Sequence, residues 1–230
     1  MTLEGRGVLV VGGLSAHGRA AALLAAARGA TVVFSLPPGA EGRAAEIETL
    51  ARGGAVGVAA DTAREDEVER LFAAADARLP RLDVVVNAAP EPPSRPLLET
   101  SLADWEAGVA RALRSAFFVS RLAVEEFLAH GAGGRLVHVA PVVRPGDPAQ
   151  AMAAASLQAL LSLMRSTAKE YGPRRVACNA VVPVVPVASH AAVQKPPPPT
   201  DAVAEVVLFL ASAEASYLNG EALRASCPLA

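Results

Sequence analysis

The residues of this sequence that could do chemistry begin with a glycine-rich segment near the N-terminus. Gly12, Gly13, Ser15 and Gly18 follow the apolar run VLVV and precede a stretch rich in alanine and leucine. Glycines between a strand and a helix permit a tight turn, after which the helix presents backbone N–H groups to an anion. The spacing therefore predicts a turn that can hold the pyrophosphate of a nucleotide.

The other candidates are histidines and cysteines. His17 lies within the glycine turn and His138 within an apolar run, and either imidazole could titrate near neutral pH. Neither has a carboxylate or nucleophile partner at a recognisable spacing, so a packed side chain is the simpler interpretation of each. Cys178 and Cys227 are far apart and lack the spacing of metal ligands, which predicts two core or interface thiols and neither a disulfide framework nor a zinc site.

The elements that must position these residues are visible as short apolar runs alternating with stretches of helical length. Such an alternation predicts a parallel sheet covered by helices on both faces. Residues 101–131 predict one long amphipathic helix capped by Ser101, and residues 183–200, with four consecutive prolines, predict a loop before a final helix at 201–212. The strand candidates are residues 7–13, 30–35, 55–61, 82–89, 134–140 and 175–183.

Composition limits the kind of molecule. The 230 residues suit one α/β domain spanning 1–230, and a content of 52% hydrophobic but 4% aromatic residues predicts a core of alanine, valine and leucine. A net charge of -2 without a block of like charges gives no basis for binding nucleic acid or an anionic membrane. No apolar run approaches the roughly 18 residues that span a bilayer, so we expect a cytoplasmic protein.

This order of motifs resembles the short-chain dehydrogenase/reductase family, whose phosphate loop reads Thr-Gly-x-x-x-Gly-x-Gly. The segment from Val11 to Gly18 aligns with that loop, with Ala16 in place of one glycine and His17 in place of an aliphatic residue. The resemblance covers nearly the whole chain and implies a Rossmann-type, doubly wound parallel β-sheet with helices on both faces. The Cβ atom of Ala16 is expected to crowd a bound phosphate without abolishing the turn.

The resemblance also implies vestigial cofactor contacts. Asp61 stands where the family's Asp contacts adenine, and Asn87 opens a segment that stands where the family's Asn-Asn-Ala-Gly lies beside the cofactor. The second strand ends in Ser35 and Leu36 before two prolines, which leaves no acid for NAD and no immediate base for NADP to read the ribose. We therefore expect no cofactor or weakly bound NAD(P). The residues expected to contact it are Gly12, Ser15, Gly18, Asp61 and Asn87.

Catalysis in the family depends on a tetrad. A Tyr is the general acid/base, a Lys four residues later lowers its pKa, a Ser orients the substrate carbonyl and an Asn holds a proton-relay water. The aligned positions here are Met152 for the Tyr, Ser156 for the Lys, Pro141 or Ala140 for the Ser and Ala112 for the Asn. None of these side chains can transfer or tune a proton as the family does, so the tetrad positions are predicted to be vacant.

No shift of the alignment restores the catalytic pair. The tyrosines are Tyr171 and Tyr217 and the lysines are Lys169 and Lys195, so the spacing Tyr-x-x-x-Lys does not occur in the sequence. The chain is therefore not expected to be an oxidoreductase by itself.

Three functions remain open. The first is a non-catalytic subunit that pairs with a catalytically complete NAD(P)-dependent paralogue in a hetero-oligomer, expected to be a tetramer, with a CoA ester or similar acyl compound as the partner's substrate. The resemblance implies assembly through the two long helices and through the last strand and helix, whose apolar residues are kept. The second is an enzyme of secondary metabolism with cyclase or dehydratase chemistry in the cleft that binds the cofactor in the family, using His17 or His138 as base. The third is a nucleotide-binding sensor.

Overall fold

Seven parallel strands form one sheet in the computed structural model, which describes residues 2–88, 92–143, 148–184 and 200–226. The strand order is β3-β2-β1-β4-β5-β6-β7, in which the chain runs outward from β1 in one direction and then from β4 in the other. This is the doubly wound α/β sheet that the alternating pattern predicts. The strands are β1 Gly7–Val11, β2 Thr31–Leu36, β3 Ala55–Ala59, β4 Leu82–Asn87, β5 Gly134–Val139, β6 Val176–Val184 and β7 Ala222–Ser226.

The helices between the strands cover both faces of the sheet. All six strand candidates are confirmed, whereas β7 was implied by the family resemblance alone and α2 was not predicted. Helix α2 is short and follows a 3-10 turn at Glu41–Arg43, so its sequence carries too few turns to show a helical period. The helices are α1 Ala16–Ala27, α2 Ala44–Leu50, α3 Glu65–Asp76, α4 Leu102–Val109, α5 Ser115–Ala129, α6 Ala151–Tyr171 and α7 Thr200–Ala211.

Strand β1 shows why the apolar runs are continuous. Val8 and Val10 pack into a core with α1 and α7 on one face, while Leu9 and Val11 pack into a second core with α3, α5 and α6 on the other. Both faces of the strand are buried, so every position is apolar rather than every second one. The carboxyl end of β1 is thereby fixed from both sides where the glycine turn begins.

The helix predicted as one piece over residues 101–131 is interrupted. Its cap is confirmed, because Ser101 Oγ accepts a hydrogen bond from the Asp104 N–H at 3.1 Å. Helix α4 then ends at Val109, and a π-helical turn at Ala110–Arg114 precedes α5. A π turn adds one residue within a helix and leaves helical periodicity on both sides, which is why the apolar pattern did not reveal it.

The final helix is confirmed as α7, within one residue of its predicted bounds. Strand β6 continues through Val184, so the predicted loop begins later than residue 183. The four consecutive prolines lie outside the described residues. Within the described ranges, none of the helices combines the length and the apolar character needed to cross a membrane.

Candidate functional site

The glycine turn joins the carboxyl end of β1 to the start of α1. Gly12 has a φ of 83°, and its N–H donates to Ser35 Oγ at 2.8 Å, while the Gly13 N–H donates to the Ser35 carbonyl at 2.9 Å. These bonds tie the turn to the end of β2. A Cβ atom on Gly18 would lie 2.2 Å from the Gly12 carbonyl oxygen, so the close approach of helix and turn requires glycine at this position.

Ser15 caps α1 and connects the turn to the neighbouring strand. Its hydroxyl accepts from the Gly18 N–H at 3.1 Å and donates to the Ala88 carbonyl at 3.1 Å, just after β4. Ala16 is exposed in the first turn of the helix, so its Cβ is accommodated without distorting the backbone. The described contacts of Ser15 therefore hold the turn in shape, which is a structural role that the sequence analysis did not assign to it.

The end of β2 does not fit the ribose of a dinucleotide. Ser35 is buried and its hydroxyl is already an acceptor for Gly12, while the Leu36 side chain is buried in the core. Pro37 and Pro38 follow and carry no donor or charge. Residues 35–38 therefore hold the phosphate turn in place, but they carry no acidic or basic side chain that could distinguish NAD from NADP.

Asp61 lies beyond β3, two strands away from β1 in the sheet. Its carboxylate accepts from the Ala63 N–H at 3.0 Å, and its own N–H donates to Glu67 Oε2 at 2.7 Å. These bonds shape the turn that leads into α3. The structure therefore brings Gly12, Ser15, Gly18 and Asn87 together at one sheet edge and leaves Asp61 at a distance along that edge.

Asn87, at the end of β4, belongs to a buried hydrogen-bond chain. Its Nδ2 donates to His138 Nδ1 at 3.2 Å, so the ring proton is on Nε2, which lies 3.4 Å from Ser120 Oγ. The Ser120 hydroxyl donates to the Ala116 carbonyl at 2.6 Å. Burial lowers the pKa of His138 to about 4, so the imidazole is neutral at neutral pH.

The remaining candidates from the sequence are His17 and the two cysteines. His17 is half-buried on α1. Cys178 is buried on β6, and burial raises the pKa of its thiol to about 12, which makes it inert as a nucleophile and confirms a core thiol. Cys227 lies outside the described residues.

The positions aligned with the family's catalytic residues meet at the carboxyl ends of β4 and β5. Ala112, Pro141 and Ser156 line one cavity of about 20 Å³, together with Asn87, Pro92, Val139 and Leu160. Such a volume accommodates about one water molecule, whereas small-molecule sites typically measure roughly 300–1,000 Å³.

Two polar atoms at this cavity lack a hydrogen-bond partner in the described structure, namely Asn87 Oδ1 and Ser156 Oγ. Met152 is one helical turn before Ser156 on α6, and its side chain is 2% exposed. A Cβ atom on Gly108 of α4 would lie 3.0 Å from Met152 Sδ, so the thioether packs closely against that helix. Three of the aligned positions thus line a small, mainly apolar cavity, and the fourth, Met152, is a packed side chain.

A second, much larger concavity lies on the outer surface of α4, α5 and α6. It has a volume of about 790 Å³ and is lined by Trp105, Glu106, Leu113, Arg114, Phe117, Ala159 and Leu163. The Leu102, Trp105 and Phe117 side chains are 71%, 36% and 48% exposed, and most of α4 faces outward. We call this surface the helix groove.

Comparison with known proteins identifies the fold family. Residues 13–227 match the family model described as enoyl-(acyl carrier protein) reductase, which covers most of the chain. The chain belongs to the short-chain dehydrogenase/reductase family. Over 189 residues it is 35% identical to an L-rhamnose 1-dehydrogenase (NAD(P)(+)) of Azotobacter vinelandii, covering 80% of this chain and 74% of that protein.

Two further relatives cover nearly the full length. A 3-oxoacyl-(acyl-carrier-protein) reductase of Thermotoga maritima is 28% identical over 247 residues, covering 97% of both chains. The crystal structure of a short chain dehydrogenase from Mycobacterium smegmatis superposes with a TM-score of 0.85 at 27% identity, covering 99% of this chain and 94% of the other. The seven-stranded sheet is therefore that of the short-chain dehydrogenase/reductase fold.

The sequence analysis named Asn87 and His138 as separate candidates, but it missed Ser120 and the hydrogen bonds that connect the three residues in this short-chain dehydrogenase/reductase site. Ser120 and the ring of His138 form one network with Asn87, yet they are far apart in the sequence. The available signal was weak, because it consisted of a single serine on an apolar helix face and a single histidine within an apolar strand.

Proposed function

We propose that the chain is a non-catalytic short-chain dehydrogenase/reductase subunit that assembles with a catalytically complete paralogue. The observation that carries this proposal is the set of side chains at the aligned catalytic positions, Ala112, Pro141, Met152 and Ser156. None of them carries a group that titrates near neutral pH, and three of them close around a cavity of about 20 Å³. Hydride transfer to a carbonyl requires a positioned proton donor, and these positions do not supply one.

The buried histidine beside this site is not placed to take over that role. His138 is the closest imidazole to the site through its bond to Asn87, but its side chain is fully buried and its pKa is lowered to about 4 by burial. A general base must reach the proton that it abstracts, and a sealed ring cannot contact a substrate. This argues against His138 as the base of a repurposed enzyme.

The helix groove supports the second half of the proposal, namely assembly. Trp105 and Phe117 are large apolar side chains on a surface that would be costly to leave in water. Family members pair through their two long helices, so a paralogue presenting the same helices is the occupant that we propose for this surface. A mixed complex, expected to be a tetramer, would bury the groove and supply the missing catalytic residues in the partner subunit.

The partner's chemistry is proposed from the relatives. One of them is named a 3-oxoacyl-(acyl-carrier-protein) reductase, and we infer an acyl thioester or a similar acyl compound as the partner's substrate. For this chain we infer no cofactor, or weakly bound NAD(P), because the end of β2 supplies buried Ser35 and Leu36 and then two prolines where a ribose-binding group is needed.

The test is the native mass of the tagged chain purified gently from its own host, with mass-spectrometric identification of whatever co-elutes. The expected result is a fixed-stoichiometry complex with a short-chain dehydrogenase/reductase that carries an intact Tyr-x-x-x-Lys pair. Phe117→Glu should release that partner, whereas the matched control Leu50→Glu, on the exposed face of α2, should not. A homo-oligomer without such a partner would contradict the proposal. So would a complex whose native mass and composition stay the same in Phe117→Glu.

A further inference from the structure

A polar cleft lies at the amino ends of β1, β4, β5 and β6, at the sheet edge opposite the glycine turn. Its volume is about 450 Å³, and four arginines contribute to its walls, namely Arg6, Arg81, Arg135 and Arg175. We call it the arginine cleft. The helix groove lies on a different surface and shares none of the lining residues of the arginine cleft.

The charges of the arginine cleft are not balanced. Asp83 is the single acidic residue among its described lining, so the four arginines leave three positive charges in excess. Its carboxylate accepts from Arg6 Nη1 at 2.9 Å and from Arg81 Nε at 3.0 Å. In the part of the chain that the structure describes, no carboxylate lies within 4.0 Å of the guanidinium group of Arg135 or Arg175.

Arg135 is the residue that most needs a counter-charge. It lies on β5 and is half-buried, and its one described hydrogen bond runs from Nη1 to the Ala215 carbonyl at 3.5 Å, which is long. Burial, followed by the positive charge of Arg6, lowers the pKa of Arg135, while the negative charge of Glu214 opposes this effect and is the smallest of the three contributions. The fold thus holds a guanidinium in a position that disfavours its charge, and a bound anion would reverse that balance.

The backbone around the cleft is also unusual. Arg175 has a φ of 63°, a left-handed conformation that non-glycine residues seldom adopt and that is often retained at ligand sites. A Cβ atom on Gly133 would lie 2.3 Å from the Arg175 carbonyl oxygen, so the two segments approach too closely for a side chain at position 133. This contact holds Arg175 at the rim of the cleft.

We propose that the arginine cleft is a binding site for a phosphate group, carried by a small phosphorylated molecule or present as the free ion. Guanidinium groups recognise phosphate through paired N–H donors, and an excess of three positive charges suits a dianion. The volume of about 450 Å³ admits a small molecule.

The experiment compares thermal unfolding of the full chain in sodium phosphate with unfolding in sodium chloride of equal ionic strength. Phosphate should raise the unfolding midpoint in a saturable manner for the natural sequence and for the control Arg70→Gln, which removes an exposed arginine on α3. Arg135→Gln should lose most of this increase while its midpoint without phosphate stays the same or rises, because a disfavoured charge has been removed. If Arg135 only stabilised the fold, Arg135→Gln would instead lower the unfolding midpoint measured without phosphate.

A second variant guards against poor folding of the first. Arg175→Gly removes a charge from the cleft and relieves the left-handed backbone, so it should fold at least as well as the natural sequence and also lose phosphate stabilisation. Unfolding in ribose 5-phosphate and in ribose distinguishes a phosphorylated molecule from the free phosphate ion. Stabilisation by ribose 5-phosphate but not by ribose supports a phosphorylated molecule. Stabilisation by inorganic phosphate alone supports the free ion. An equal phosphate response in Arg135→Gln, Arg175→Gly and the natural sequence, or an effect matched by chloride, would overturn the proposal.

Discussion

Lowering the pH should destabilise this fold through His138, and the size of that effect follows from its burial. The ring projects from β5 toward α5, where it lies beside Ser120, and it accepts a hydrogen bond from Asn87. Its pKa is lowered from 6.5 to about 4 because the charged form is desolvated. Between these values the unfolded chain binds a proton that the folded chain does not, so stability is fully present above pH 6.5 and is lost as the pH falls toward 4.

The linkage relation converts this shift into a free energy. For the two pKa values above, the free energy of unfolding should fall by about 2 kcal/mol between pH 7 and pH 5, and by about 3 kcal/mol when pH 4 is reached. A domain of this kind is stable by only about 5–15 kcal/mol, so the protonation of this one histidine removes a large fraction of the free energy of unfolding.

The assay is urea unfolding at fixed protein concentration and at several pH values between 7 and 4.5, for the natural sequence and for His138→Asn. The asparagine retains an acceptor for Asn87 but carries no titratable group, so the difference between the two proteins isolates the ring. His130→Asn, at the partly exposed end of α5, is the matched control for replacing a histidine at a position outside the core. Parallel pH profiles for the natural sequence and His138→Asn would refute the reasoning.

Two further predictions concern the glycine turn and the small cavity. Gly18→Ala should lower the free energy of unfolding by about 2–3 kcal/mol in urea titrations, because its Cβ would lie 2.2 Å from the Gly12 carbonyl oxygen, and Ala16→Gly should change it by about 1 kcal/mol or less. The double variant Met152→Tyr, Ser156→Lys should show no oxidation of NADPH with a 3-oxoacyl thioester, because a Tyr ring and a Lys stem do not fit around a cavity of about 20 Å³. It should also unfold about 1–3 kcal/mol more easily, and activity above background would contradict this interpretation.

Much of the fold could be predicted from the sequence because strands buried on both faces are continuous apolar runs. Strand β1 is the clearest case, since all five of its residues are buried and the glycine turn follows it directly. The same reasoning did not find strand β7, because its residues include Arg224 and three small side chains, so its five positions show no apolar run. The apolar pattern also did not predict the π turn at Ala110–Arg114, because helical periodicity continues on both sides of it.

The candidate site was predictable only where its residues are adjacent in the sequence. The turn from Gly12 to Gly18 is local, and the structure places it at the edge of β1 as expected. The bond between Asn87 and His138 depends on β4 and β5 being neighbours, and the arginine cleft depends on four strand ends meeting. Such contacts follow from the strand order, which apolar patterns along the chain do not specify.

The small cavity beside Asn87 also constrains the order in which substitutions at this site could accumulate. A lysine at 156 alone would place an ammonium group in a closed space of about 20 Å³, and burying an unpaired charge is strongly destabilising. A tyrosine at 152 alone would have to displace the contact between Met152 and α4. Each single step toward a proton-transferring pair thus costs stability before it can confer any activity. If the chain is the non-catalytic subunit that we propose, these stability costs would form an epistatic barrier between its site and catalysis.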